Sequence, residues 1–189
     1  MLENKLIRDD FIVITGGPGA GKTTLLHEIQ RNGYSYVPEV ARGIIQVQVS
    51  SNGDALPWKN ATKYRDSMLK ESIESFLSAL TNPPEQKLFF DRGIPDTVAY
   101  SYLINVPISE KLESEVRKYR YNKQVFILPP WEEIYITDNE RIQDFEEAVV
   151  TYKIMVETYK KLDYELIEVP KISVKQRVGF ILHKAGVQP

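Results

Sequence analysis

The sequence predicts an α/β fold: a parallel sheet of five strands with helices on both faces. Three observations carry that expectation. Short, nearly unbroken apolar runs recur near residues 11–15, 34–37, 87–91, 124–128 and 164–169, and runs of that kind suit strands buried on both sides. Between them lie longer segments with apolar residues at helical spacing, the alternation that builds βαβ units. Glycine, proline or a charged residue stands at the carboxyl end of the runs, where the loops of such a sheet begin.

The chain has 189 residues, which suits one domain, expected here to span 1–189, with a good-sized core. Its 42% hydrophobic and 26% charged residues are ordinary for a globular protein. A formal net charge of −2 gives no electrostatic case for a nucleic-acid partner. The absence of cysteine excludes disulfides, thiolate metal sites and cysteine nucleophiles. With only His27 and His183 present, a histidine metal site is not expected. Residues 1–10 are charged, lack a signal-peptide core and read as a loosely held lead-in. No apolar run has the length of a membrane span, so a cytoplasmic enzyme is the expectation.

The first strand, 11–15, runs into Gly16-Gly17-Pro18-Gly19-Ala20-Gly21-Lys22-Thr23-Thr24. Read as Gly16-x-x-x-x-Gly21-Lys22-Thr23, this is the phosphate-binding loop of P-loop NTPases, in the strand-then-helix context that motif needs. Glycines let backbone N–H groups turn inward and approach phosphate oxygens without a Cβ in the way. The helix that follows adds its positive end. Lys22 is expected to reach the β- and γ-phosphates, and the Thr23 hydroxyl to hold Mg²⁺. The fold expectation sharpens accordingly to a three-layer P-loop NTPase.

The first helix, 23–32, presents Leu25, Leu26 and Ile29 inward and ends at Gly33; His27 points elsewhere. The short second strand, 34–37, is closed by Pro38. Glu39-Val40-Ala41-Arg42 then opens a helix to about Val49. Glu39 and Arg42 share a face at a helix start on the carboxyl edge of the sheet, where ligands bind in open α/β folds. The alternative is that Glu39 only complements the helix dipole and Arg42 is solvated.

A polar loop at 50–54 and Pro57-Trp58 precede a long helix whose stripe of Tyr64, Met68, Ile73, Phe76, Leu77 and Leu80 reads as core, with Lys63 and Arg65 solvated. Trp58 suits either a substrate ring or the core. The third strand ends in Asp91-Arg92. A carboxylate delivered there can hold Mg²⁺ with Thr23, and Arg92 brings a cation to the same strand tip; the alternative for Arg92 is an ion pair with a nearby carboxylate. Asp96 suits the first turn of the next helix.

Helices over 96–103 and 109–119 lead to the fourth strand, 124–128, ended by Pro129-Pro130. Residues near 129–141 form a lid-like segment. The longest helix opens at Thr137 with a capping box to Glu140, and Ile142, Phe145, Val149, Tyr152, Val156 and Tyr159 make its core stripe. Arg141, at the start of that helix, is placed to meet a transferring phosphoryl group, or else to pair with Asp138 or Asp144. The fifth strand, 164–170, turns at Lys171-Ile172-Ser173 into a last helix capped by Ser173, and Pro170 and Lys171 are candidates for a nucleotide-base wall.

The combination of the phosphate loop, Val37-Pro38-Glu39-Val40-Ala41-Arg42, Phe89-Phe90-Asp91-Arg92-Gly93-Ile94-Pro95-Asp96 and Asp138-Asn139-Glu140-Arg141 resembles the AAA-type ATPase-like domains of bifunctional NAD-salvage regulators and TRPL-translocation-defect proteins. Their topology resembles that of nucleoside and nucleotide kinases. The resemblance implies that Glu39 acts near an acceptor hydroxyl and that Asp91-Arg92 matches the acid–arginine pair after the third strand of thymidylate-kinase-like enzymes. Those kinases carry several lid arginines, whereas Arg141 stands alone here.

The catalytic set read from the sequence is therefore Lys22, Glu39, Asp91, Arg92 and Arg141, with nucleotide held by residues 16–24 and Mg²⁺ by Thr23 and Asp91. The expected activity is transfer of a phosphoryl group from Mg-ATP to a small hydroxyl-bearing, nucleoside-like acceptor. No Asn-Lys-x-Asp base-reading stretch is present, which favours ATP while leaving GTP open. The rival reading is a slowly hydrolysing nucleotide switch that acts through a protein or an anionic lipid.

Overall fold

The computed structural model describes residues 5–81, 85–135 and 145–187. In chain order the elements are β1 (Leu6–Ile7), β2 (Phe11–Gly16), α1 (Lys22–Arg31), β3 (Tyr36–Val37), α2 (Val40–Ser50), α3 (Ala61–Thr81), β4 (Leu88–Asp91), α4 (Ile94–Leu103), α5 (Glu110–Lys118), β5 (Tyr119–Arg120), β6 (Gln124–Leu128), α6 (Phe145–Lys161), β7 (Glu165–Glu168) and α7 (Val174–Lys184). A short 3₁₀ turn, Glu132–Ile134, follows β6.

The main sheet has five parallel strands in the order β3-β4-β2-β6-β7. Its centre is β2, buried along its whole length, as an unbroken apolar run must be in a sheet covered on both sides. Side chains alternate across the strand. Phe11 and Val13 face Phe76 of α3, Val98 of α4, Leu112 and Val116 of α5 and Tyr159 of α6. Ile12 and Ile14 face Leu25, Leu26 and Ile29 of α1 together with Val178, Ile181 and Leu182 of α7. Three layers result, with α2 packed not on the sheet but on α3 through Ala41, Ile44, Tyr64 and Met68.

After β2 the chain runs to one edge at β3, returns through β4, and then crosses to β6 on the other side of β2. The reversal leaves a crevice at the carboxyl ends of the central strands, the usual ligand position in open α/β sheets. No helix among the described residues is long and apolar enough to cross a membrane.

Three expectations are corrected. Residues 6–7 are not a loose lead-in. They pair in parallel with β5, and the Arg8 guanidinium lies 4.5 Å from the Phe11 ring centroid. Arg65 is not solvated. It is 5% exposed, its Nη2 reaching Asp66 at 2.7 Å and its Nη1 the Pro107 carbonyl at 3.2 Å, while Leu77 of the supposed stripe is 38% exposed. The buried face of α6 is Ala148, Thr151, Met155, Thr158 and Tyr159; of the described residues of the expected apolar stripe only Tyr159 is fully buried on it, with its hydroxyl on the Asp96 carboxylate. The capping box at Thr137–Glu140 and residue Ile142 lie outside the described residues.

Candidate functional site

At the end of β2, Gly16 has φ 149°, and a Cβ there would stand 2.8 Å from the Leu128 carbonyl oxygen. Gly16 thus lets the loop leave the sheet tight against β6, and it does not itself line the cleft that follows. Gly19 has φ 73°, and a Cβ on it would stand 2.3 Å from the Tyr135 ring. Gly21, at φ 79°, caps α1. Residues 17–24 line a cleft of about 1030 Å³ whose other walls include Arg42, Trp58, Trp131, Ile134, Ser173 and Arg177.

Lys22 is the first residue of α1, and its Nζ lies 2.8 Å from Asp91 Oδ1 at the tip of β4, both side chains being 9% exposed. That contact is a close ion pair without hydrogen-bond alignment, so Asp91 Oδ1 is a buried carboxylate oxygen with no hydrogen-bond partner among the described residues. Thr23 and Thr24 are exposed to the cleft.

Arg92 has a φ of 71°, rare for a non-glycine residue, and its N–H donates to the Ile14 carbonyl at 3.0 Å. The turn carries its guanidinium over the sheet edge between two carboxylates. Nε donates to Glu39 Oε1 at 2.7 Å, and Nη1 donates to Asp96 Oδ1 at 3.3 Å. Glu39 stands at the N-cap of α2 but makes no side-chain cap, so its carboxylate is committed to Arg92 and not to the helix end. Burial would raise the Glu39 pKa. The charges of Arg92 and Lys22 and the Arg92 hydrogen bond outweigh it and bring the value down to about 2.

Asp96 is far more than a first-turn residue. At 4% exposure it accepts from Thr15 Oγ1 at 2.6 Å, from Tyr159 OH at 2.5 Å and from the Gly93 N–H at 2.8 Å, besides Arg92. It ties β2, α4 and α6 to the Arg92 clamp. Burial and the facing carboxylate push the Tyr159 hydroxyl well above its ordinary pKa and keep it a donor.

A second cavity, about 690 Å³, opens beside the first and shares Pro18, Glu39, Ala41, Pro57, Tyr64 and Arg92 with it. The two meet at the Glu39–Arg92 pair.

Sequence reasoning missed Arg177. It is 3% exposed on α7 and donates from Nη2 to the Ala20 carbonyl at 3.0 Å. Its guanidinium lies 5.7 Å from the Trp131 ring centroid, and burial lowers its pKa. The signal available was an arginine between Val174 and Val178, on the inward face of the helix. Pro170 and Lys171, the candidates for a base wall, do not line the cleft; the next residues, Ile172, Ser173 and Val174, do. Arg141 and the end of the lid-like segment lie outside the described residues. Within the described part, Trp131 and Ile134 line the cleft and Tyr135 packs on Phe145 at 5.5 Å between ring centroids.

A parallel sheet in this order, with a glycine loop and an invading lysine at its switch point, defines a P-loop NTPase of kinase-like topology. A family model described as an AAA domain matches residues 11–177, and the chain belongs to that family. Among solved structures it is similar to the NadR protein in complex with NR, with 18% identity, a TM-score of 0.71 and coverage of 94% of this chain and 52% of the other. The chain thus spans about half the length of that protein. It is also similar to deoxyadenosine kinase from M. mycoides, at 20% identity and TM-score 0.65 over 93% of this chain and 98% of the other. Thymidylate kinase from Ehrlichia chaffeensis follows at 15% identity and TM-score 0.60, over 92% and 97%. These likenesses are of fold. No curated protein matches the sequence.

Proposed function

We propose that the protein is a small-molecule kinase that binds Mg-ATP, in preference to GTP, in the 1030 Å³ cleft and transfers the γ-phosphoryl group to a hydroxyl held in the 690 Å³ cavity. The observation that carries this reading is the Glu39–Arg92 pair on the wall common to both cavities, where donor and acceptor would meet. The likeness in fold to deoxyadenosine kinase and thymidylate kinase supports it.

The residues fit a magnesium ion. Asp91 offers a buried carboxylate oxygen with no hydrogen-bond partner, and Thr23 offers a hydroxyl facing the phosphate cleft. Bound there, the ion would neutralise charge on the β- and γ-phosphates. Loop N–H groups of residues 17–22 orient the phosphates, and Lys22 exchanges Asp91 for phosphate oxygens. The acceptor oxygen bonds to the γ-phosphorus as the bond from that phosphorus to the β–γ bridging oxygen breaks, and the electron pair leaves on ADP. Arg92 and Arg141 steady the charge that spreads over the transferring group. With its pKa near 2, Glu39 is a weak base: it orients the hydroxyl as an acceptor, takes the proton late, when the new O–P bond has made it acidic, and passes it to water.

Glu39→Gln tests the assignment. ATP affinity should stay within about twofold, while acceptor-stimulated ADP release should fall about 10²-fold. The Glu39 carboxylate is ionised above about pH 2, so the wild-type rate should show no acid limb from this residue between pH 4 and 5. Equal turnover in the variant removes Glu39 from the mechanism. Tight nucleotide binding without any acceptor-stimulated ADP release favours the switch reading instead.

A further inference from the structure

We infer that Arg177 is a positioning residue of the phosphate loop: by holding the Ala20 carbonyl it keeps the Gly21 N–H turned toward the place of the nucleotide's β-phosphate. The inference rests on the reading of residues 17–23 as a nucleotide loop, and it adds a residue far outside the motif on which the shape of the loop depends. A trans peptide is planar, so its C=O and N–H point to opposite sides. The Ala20 carbonyl faces α7, where Arg177 Nη2 donates to it at 3.0 Å. The N–H of that same peptide, which belongs to Gly21, therefore faces away from α7, and Gly21 lines the cleft. The turn does not fix this orientation by itself. Gly21, at φ 79°, lets the peptide before it rotate where a side chain would resist, and a flipped peptide would aim its carbonyl at the phosphates. A hold from outside the loop selects one of the two orientations.

The guanidinium is fitted to that peptide. A Cβ on Gly21 would stand 3.1 Å from Arg177 Nη1, so one arm of the fork sits on the Ala20 carbonyl and the other beside Gly21. The side chain is 3% exposed, with the Trp131 ring centroid 5.7 Å away. Its charge is buried without a counter-ion. No carboxylate among the described residues pairs with it, and its Nε has no hydrogen-bond partner there. An unpaired buried cation destabilises the free protein. A triphosphate in the cleft supplies the missing negative charge, so Arg177 favours the bound state over the free one.

The test titrates wild type, Arg177→Met and Arg177→Lys with Mg-ATP and with magnesium tripolyphosphate, which carries neither base nor ribose. Arg177→Met should weaken both ligands by the same factor, roughly tenfold or more, the scale of one charge-assisted hydrogen bond. Arg177→Lys keeps a cationic donor within reach of the carbonyl and should bind both within about threefold of wild type. The free Arg177→Met protein should melt no lower than wild type, because it has lost a buried charge that nothing balanced. Unchanged affinity in Arg177→Met overturns the inference, as does Arg177→Lys binding no better than Arg177→Met. A loss for ATP with tripolyphosphate unaffected, or wild type binding ATP but not tripolyphosphate, overturns it by placing the affinity on the base. A lower melting temperature in Arg177→Met overturns it by making the residue a structural one. Wild type that binds neither ligand overturns the nucleotide-loop reading beneath it.

Discussion

Lys22→Ala is expected to abolish measurable phosphoryl transfer, with kcat/KM down by about 10³-fold or more, the scale at which a single pre-aimed cation or donor at a transition state acts. Two losses combine. The charge that would meet the β- and γ-phosphates disappears, and the Asp91 carboxylate, 9% exposed, loses the cation that stands 2.8 Å from its Oδ1. Coupled-enzyme detection of ADP and calorimetric titration with ATP separate the two. A variant that melts like wild type but neither binds nor turns over ATP places Lys22 on the phosphates. A variant that turns over normally would reduce the Lys22–Asp91 contact to a structural ion pair.

The largest stability effect is expected at Asp96→Asn, a loss of about 3–5 kcal/mol, the usual consequence of breaking a buried charged network from one side. The carboxylate accepts from Thr15, Tyr159, the Gly93 N–H and Arg92. An amide supplies one acceptor oxygen and turns two N–H donors toward groups that are themselves donors, leaving the Gly93 N–H or the Tyr159 hydroxyl unsatisfied. The loss should appear as a lower urea midpoint with an unchanged slope. Because Arg92 would retain only Glu39, turnover should fall in the folded fraction as well. A change below about 1 kcal/mol would mean that the cluster is held by its packing and not by the carboxylate.

What could be read in advance follows from how local each feature is. The strands at 11–16, 88–91 and 124–128 were legible because a strand covered on both faces needs no partner to explain its apolar run. The phosphate loop was legible because its geometry demands glycines at set spacings. The clamp was visible only in pieces. Glu39 and Arg92 stood out as ends of elements, but their pairing spans 53 residues and depends on how β3 and β4 lie side by side. Asp96 looked like a capping residue because its first-turn position already had a local explanation, which hid its two long-range donors, Thr15 and Tyr159. The buried face of α6 was misjudged for a related reason: Thr151 and Tyr159 face inward to serve a polar cluster and a cavity, and hydrophobic periodicity has no term for that. Arg177 was missed because its partner is a backbone carbonyl of the loop, which no side-chain pattern announces.

The central claim is that the loop at residues 17–23 and the carboxylate of Asp91 together hold a metal-bound triphosphate. Calorimetric titration of the purified protein with ATP, in magnesium and again in excess chelator, tests it most directly. The account predicts binding in magnesium that weakens by about tenfold or more on chelation. An affinity for ATP that is the same with and without magnesium, or no affinity for it in either, would contradict it.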